Sequence, residues 1–378
     1  MSLFSVEPSP SSGERVTEEN CWALPAVYRA ITMIANDLGR MPVQVITRRG
    51  GEMQPVESTA GMLLSADPNR YMGSMEFRRT LTAQCLRYGN AFAQIVRNGA
   101  GELMELVPLL PSDVVMVVKD NRLTYRHHEL GEVEPEQLLH IRAPGSDGLW
   151  GHSLIRQGRE ALGLAKAMEK TGGKLYSNAG VPKLALVHPG SLSPSAIQGI
   201  LDSYQAKHAG ADNAGRPLVL GEGMRIERIN QSLEDSMWLQ AREFSVQEVS
   251  RLFGVPVVYL ADHSRSTFAS IVELTRTYWD GCLAHWSAVW AEEVRRKLLA
   301  PGEQLMWDTR DLLKGSFADQ VSALRSAVEV GLLTQNEARE RLGLNPVEGG
   351  DEVLRPANTL VSLEDIDPDE EDEEDPDE

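Results

Sequence analysis

The stretch EVSRLFGVPVVYLADHSRSTFASIVELTRTYWDG, Glu248–Gly281, carries one long helical pattern into another through a short polar loop, and its reading decides the fold. The first helix, SLEDSMWLQAREFSVQEVSRLFG, closes at Gly254, and Pro256 cannot continue it, so a hinge is expected there. Inside the loop, Asp262, His263 and Ser264 are the three residue types of a hydrolytic triad. A triad needs its three side chains in line within hydrogen-bond reach, which folds achieve by bringing separate segments together. Adjacent residues diverge on both helices and strands, so ADHSRSTF, Ala261–Phe268, reads as a loop whose purpose its neighbours must supply.

Outward from the loop, the second helix, SIVELTRTYWDGCLAHWSAVWAEEVRRKLL, carries Trp279, Trp286 and Trp290 at spacings that place them on one apolar face, expected to be core. Near the N-terminus, Thr17 is the expected cap of a helix whose stripe is Val27, Ile31, Ile34 and Leu38. A strand, MPVQVITRR, and a helix over about Ser74 to Tyr88, stopped by Gly89, follow. The texture then turns to strands: AFAQIVRN, ELMELVPL, DVVMVVKD, RLTYRHHEL and LLHIRAP. A helix runs from about Ser153 to Lys170 and past Gly172-Gly173 to Tyr176, with Arg159, Lys166, Lys170 and Lys174 on one stripe. A small α/β insert comes next: a strand KLALVHPG, a helix capped by Ser193 before Pro194, and two short strands in PLVLGEGMRIERIN. Two shorter helices, DQVSALRSAVEVG and TQNEARERLG, close the folded part, an α+β protein throughout.

The 378 residues are 42% hydrophobic and 24% charged, enough apolar material for more than one folding unit. No apolar run approaches the roughly 20 residues of a membrane helix, and MSLFSVEPSPSSGERV lacks a basic start followed by a hydrophobic stretch, so a protein kept in a cytoplasm is expected. The formal net charge of −18 argues against a broad nucleic-acid grip, which works by neutralising phosphates. Part of that charge sits in SLEDIDPDEEDEEDPDE at the C-terminus, expected to be disordered. Cys21, Cys85 and Cys282 are far apart, so buried free thiols are expected and no metal site is indicated. His127 and His128 adjoin on a strand, where side chains diverge, and read as a solvent-facing pair. No H-E-x-x-H, G-x-S-x-G or complete phosphate loop occurs; TGGKLYS, Thr171–Ser177, lacks the earlier glycine. No catalytic residue and no cofactor is expected.

Several strings, taken in order, resemble the portal proteins of tailed bacteriophages: VYRAITMIANDLGRMPVQV, DPNRYMGSMEFRRTLTAQCLRYGNAFAQIVRNGAGELMELVPLLPSDV, LLHIRAPGSDGLWGHSLI, NAGRPLVLGEGM, EVSRLFGVPVVYL and GLLTQNEARERLGLNPVEGGD. The resemblance implies an α+β portal fold: a flexible arm (1–16), a wing (17–150), a first stem helix (151–180) and a clip (181–230). A second stem helix (231–256), a tunnel loop (257–268), a long wing helix with a return strand (269–314), crown helices (315–360) and an acidic tail (361–378) complete it. It implies a homo-oligomeric ring of about twelve copies, closed by head-to-tail contacts around an axial channel for double-stranded DNA. The implied partners are a terminase large subunit, a head-tail adaptor and a major capsid or scaffolding protein, with no membrane. The implied place is the portal vertex of the virion, after assembly in the host cytoplasm. In this reading Asp262, His263, Ser264, Arg265, Ser266 and Thr267 face DNA from the tunnel loop, and Arg159, Lys166, Lys170 and Lys174 face it from the stem. The competing readings are a hydrolase using Ser264, His263 and Asp262, with His285 as a further candidate, and an oligomeric scaffold without a channel.

Overall fold

The computed structural model describes residues 11–120, 122–177, 184–208, 223–228, 232–260, 271–310, 312 and 317–353. Two compact units emerge, Met1–Thr309 and Arg310–Glu378.

The first unit opens with a turn, Asn20–Ala23, held by reciprocal bonds: the Thr17 amide donates to Asn20 Oδ1 (2.9 Å) and the Asn20 amide to Thr17 Oγ1 (3.1 Å). Thr17 therefore braces the entry to this short turn rather than capping the long helix. Helix α1 (Pro25–Arg40) begins instead at a proline in its first turn, where no amide is needed. Its stripe of Val27, Ile31, Ile34 and Leu38 is fully buried, as the spacing predicts. Strands β1 (Val43–Arg49) and β2 (Glu52–Pro55), then helices α2 (Thr59–Ser65) and α3 (Ser74–Tyr88), follow. Gly89 ends α3 with φ +78°, in the left-handed region an L side chain avoids.

Strands β3 (Asn90–Arg97), β4 (Leu103–Leu109), β5 (Val114–Lys119), β6 (Arg122–His127), β7 (Gly131–Val133) and β8 (Leu138–Arg142) form two antiparallel sheets, ordered β4-β3-β8 and β5-β6-β7. Phe92, Val114, Tyr125, Val133 and Leu138 make the core that joins them. The expected stem helix is interrupted: α4 (Leu154–Gln157), capped by Ser153 Oγ accepting the Arg156 amide (3.2 Å), gives way at Gly158 to α5 (Arg159–Ser177). The insert contributes β9 (Leu184–Val187), α6 (Pro194–His208) and β10 (Arg225–Arg228), with β9 and β10 antiparallel. Ser193 Oγ accepts the Ala196 amide at 3.3 Å at the start of α6. The PLVL segment lies outside the described residues.

Helix α7 (Ser232–Phe253) returns along α5, and α8 (Ile271–Tyr278) leads through a π turn, Trp279–Leu283, into α9 (Ala284–Lys297). The π turn corrects the expectation of three tryptophans on one face. Its wider winding carries an extra residue and rotates everything before it relative to α9. Trp286 and Trp290 are buried, but Tyr278 takes the buried place ahead of the turn and Trp279 is only half-buried. Trp290 meets Phe77 edge-on, centroids 6.2 Å apart, and its Nε1 donates to Thr82 Oγ1 at 3.2 Å. Strand β11 (Glu303–Trp307) then pairs with β1, Val45 opposite Leu305, giving a sheet ordered β11-β1-β2.

One buried cation ties these helices together. Arg78 on α3, 4% exposed, donates to the carbonyls of Leu38 (3.4 Å), Gly39 (2.6 Å), Met41 (3.1 Å) and Leu64. Leu38 and Gly39 lie in the last turn of α1 and Leu64 in the last turn of α2, so one guanidinium closes two helix C-termini that would otherwise bury unpaired carbonyls.

The second unit contains α10 (Phe317–Glu329) and α11 (Gln335–Arg341). Thr334 and Glu337 form a capping box at the start of α11. Asn336 organises the chain beyond it: Nδ2 donates to the Val347 carbonyl (3.0 Å) and Asp351 Oδ1 (2.8 Å), and Oδ1 accepts the Val347 amide (2.8 Å).

Candidate functional site

The expected tunnel-loop residues, Asp262 to Thr267, lie outside the described residues together with Phe268, as do residues 1–10 and the acidic run from Glu364 onward. What the structure describes is the base from which that loop leaves. Gly254 has φ +68°, and a Cβ there would sit 3.3 Å from the Gly281 carbonyl in the π turn. Val255 is buried, Ser250 Oγ donates to its carbonyl at 2.7 Å, and Cys282 Sγ donates to the Phe253 carbonyl at 3.3 Å. Beyond Pro256 the chain makes a turn, Val257–Leu260, and Tyr259 is held three ways. Its ring meets Tyr278 at 5.6 Å, its hydroxyl lies 3.2 Å from Thr275 Oγ1, and its carbonyl accepts from Arg29 Nε at 3.2 Å. Hydrogen bonds and packing therefore hold the segment on both sides of Gly254.

The basic stripe lies on α5 and engages the chain's own N-terminal segment. Lys166 Nζ donates to the Arg15 carbonyl at 2.9 Å, Lys170 Nζ pairs with Glu14 Oε1 at 2.7 Å, and Ser11 Oγ donates to Glu160 Oε2 at 2.5 Å. Residues 11–15 thus run along α5, a contact between polar residues distant in sequence that no periodicity announces. Arg159 is exposed, and the Lys174 side chain lies outside the described residues. Toward α7, α5 presents Ala165, Met168 and Gly172, which with Leu24, Val246 and Val249 line an apolar cleft of about 260 Å³. Glu169 at its edge has its pKa raised by burial, against the pull of Arg242.

The histidine pair departs from expectation. His127 is buried, and the His127 and His128 rings lie 4.8 Å apart, because β6 ends at His127 and His128 already belongs to the turn, where alternation no longer separates neighbours. Asp113 joins them, its Oδ2 3.7 Å from His128 Nδ1. His127 Nδ1, however, accepts the Glu129 and Leu130 amides, both at 3.2 Å, which puts its proton on Nε2 and leaves that ring without a free lone pair for a cation.

A serine and a histidine do meet, though not in the loop where adjacency suggested them. Ser146 Oγ lies 2.6 Å from His152 Nε2 in the loop after β8. The neighbouring Asp147 carboxylate accepts the Leu149 and Trp150 amides, at 2.9 and 3.0 Å, and these bonds hold its pKa low. It is turned to the backbone rather than to the imidazole, so among the described residues the pair lacks the third member that orients a base. His285 is exposed on α9, beside Trp286. The three cysteines are buried, and burial pushes the Cys21 and Cys282 thiols up to about 11 and about 12 and Cys85 higher still, leaving no thiolate near neutral pH.

Where β3 meets the loop that leads into α4, backbone lies against backbone. Asn90 Oδ1 accepts the Gly151 amide (2.9 Å) and faces His140 Nε2 (2.9 Å), while Asn90 Nδ2 donates to the Gly151 carbonyl (2.9 Å). With Asn90 Oδ1 already an acceptor, His140 Nε2 carries the proton and Nδ1 accepts the Tyr125 hydroxyl at 2.9 Å. Burial, aided by Arg142 and Lys297, holds the His140 pKa well below its usual value. A Cβ at Gly151 would lie 2.0 Å from the Gly89 carbonyl, so the two backbones touch where no side chain fits.

The family model described as phage portal protein matches residues 25–343. The chain is 26% identical over 355 residues to the portal protein of Enterobacteria phage HK97, covering 90% of this chain and 84% of that one. Among solved structures, a chain from the neck of a native gene transfer agent particle computed with C12 symmetry matches with TM-score 0.60 at 23% identity, covering 85% of this chain and 91% of that one. An HK97-family phage portal protein from Corynebacterium diphtheriae matches with TM-score 0.54 at 15% identity, covering 79% and 96%.

Proposed function

This chain belongs to the phage portal protein family, and from that premise we propose that about twelve copies close into a ring at one vertex of a capsid, with an axial channel through which double-stranded DNA is packaged and later ejected. The observation that carries the reading is the family match across residues 25–343, which takes in every element from α1 to α11. The fold likeness to a neck chain solved with twelvefold symmetry supports the ring and its copy number. Assembly takes place in the host cytoplasm, and the finished ring resides in the virion.

The charge distribution suits a passage rather than a grip. Every phosphate held by a lysine or arginine is a contact to be broken at the next step. Twelve acidic residues fall within 361–378, and removing them from the net −18 leaves −6 for the rest, so the body of the chain is itself mildly acidic. On the stem helix, the Glu14 carboxylate beside Lys170 offsets one cation of the stripe, so the stripe steadies a duplex without trapping it. The tunnel loop, Asp262 to Thr267, leaves the secured base at Gly254 and Tyr259 and surrounds the duplex, with Arg265 as its phosphate contact. The energy for translocation comes from a separate terminase that docks on the ring, and a head-tail adaptor and a major capsid or scaffolding protein are further partners of the ring. The chain's role is that of conduit and docking ring, without catalysis.

Electron microscopy of the purified full chain tests the reading: closed rings with an axial hole are expected. Monomers and dimers alone, across a range of salt and protein concentration, would refute it.

A further inference from the structure

We propose that α10 is a seam between copies, its apolar stripe packing against the α10–α11 connection of the next copy, so that the second unit gains its core only in the assembled ring. This rests on the ring reading above. Phe317, Val321, Leu324 and Val328 recur at spacings of four, three and four, the seam pattern of packed helices. Yet no residue of α10 is buried, and Phe317 is 70% exposed. Among the described residues of this unit only Asn336, Ala338 and Gly350 are buried, two of them through the polar bonds around Asn336. The described part of the unit is thus shaped by caps and hydrogen bonds without an apolar interior, and a helix of this length is marginal in water unless its apolar face is covered.

A second copy fits as the cover for two reasons. A head-to-tail ring contact needs two unlike patches on each copy. This unit presents the stripe on α10 and, on the connection that follows it, Val330 and Leu332, 58% and 76% exposed. The charges beside the stripe also do not oppose close approach, since Arg325 Nε already pairs with Glu329 Oε1 of its own helix at 2.6 Å.

Disulfide trapping in the full chain tests this with Val321→Cys combined with Leu332→Cys. The three native cysteines are buried and stay silent. Leu332 is tied by its amide to the Ala327 carbonyl, six residues and about 9 Å of helix from Val321, beyond the roughly 7 Å that a disulfide spans, so any bond formed joins two chains. Mild oxidation of rings is expected to give a covalent ladder of dimers and higher species, and unassembled protein none. In a second variant, Leu324→Asp, the protein concentration needed for rings should rise at least about tenfold. Tryptophan fluorescence should not change, because all seven tryptophans lie between Trp22 and Trp307 in the first unit. Rings that yield no ladder, or Leu324→Asp rings that form at wild-type concentration, would overturn the seam while leaving the ring reading intact. A chain that never forms rings would overturn both.

Discussion

Replacing Arg78 by methionine should destabilise the first unit by about 3–5 kcal/mol. The guanidinium is buried, and that burial draws its pKa down to about 10, so the charge itself is costly to hold. Its return comes from four backbone carbonyls, and a hydrogen bond to a charged group contributes about 1.5–3 kcal/mol net. One of the four is long, at 3.4 Å, and bonds sharing one donor group do not add in full, so the four together contribute well below four times that value. Methionine fills part of the volume but leaves the ends of α1 and α2 with buried, unpaired carbonyls, each costing about 1–3 kcal/mol. Against a domain stability of about 5–15 kcal/mol this is a large share. Urea unfolding followed by tryptophan fluorescence should show the midpoint falling by about 1 M or more. Arg78→Lys should recover less than half, because a single ammonium cannot serve carbonyls on two helix ends with the reach of a planar fork. A methionine variant within about 1 kcal/mol of wild type, or more stable, would refute the argument and show that the cost of burying the cation outweighs its bonds.

Two further outcomes are expected. His140 is buried neutral with its pKa depressed by burial, so the unfolded chain binds the proton first; the stability it contributes is complete above the unfolded value of about 6.5 and is lost as pH falls below it, by up to about 1.4 kcal/mol per pH unit. Urea midpoints measured from pH 7.5 to 5 should show this slope reduced in His140→Gln, and an unchanged slope would remove His140 as its source. Replacing Asp262 to Ser266 with Gly and Ser, or reversing charge at Lys166 and Lys170, should leave rings intact and lower the yield of DNA-filled heads. Wild-type yields from both would remove the DNA-facing roles, and rings that fall apart on charge reversal would assign the lysines to subunit contacts.

The regular elements were legible because burial imposes a period. Val27, Ile31, Ile34 and Leu38 repeat at the helical spacing and all face inward, and the β-branched runs from Ala91 to Arg142 became strands. What escaped has no local period. The π turn at Trp279–Leu283 is one surplus residue whose effect, exchanging Trp279 for Tyr278 on the buried face, arises only once α9 is packed. His127 and His128 converge because a strand ends between them, and element ends are where alternation carries least information. The contact of Glu14 and Arg15 with α5 pairs polar residues about 150 positions apart, which composition does not announce. Of the candidate site, the stripe on α5 was legible as a stripe, but not its engagement by the chain's own N-terminal segment.

The approach of Gly151 to the Gly89 carbonyl bears on how such a protein changes over evolutionary time. Where two elements meet through side chains, each replacement shifts their angle a little, and a lineage that has exchanged most of its residues drifts in shape. Here main chain lies on main chain, fastened by the Asn90 side chain and by Ser153 Oγ donating to the Arg87 carbonyl, so the angle between the β-sheets and the helices that follow depends on few of the positions that mutation usually alters. A descendant can therefore exchange many of its other residues and inherit the same corner, provided two positions never acquire a side chain.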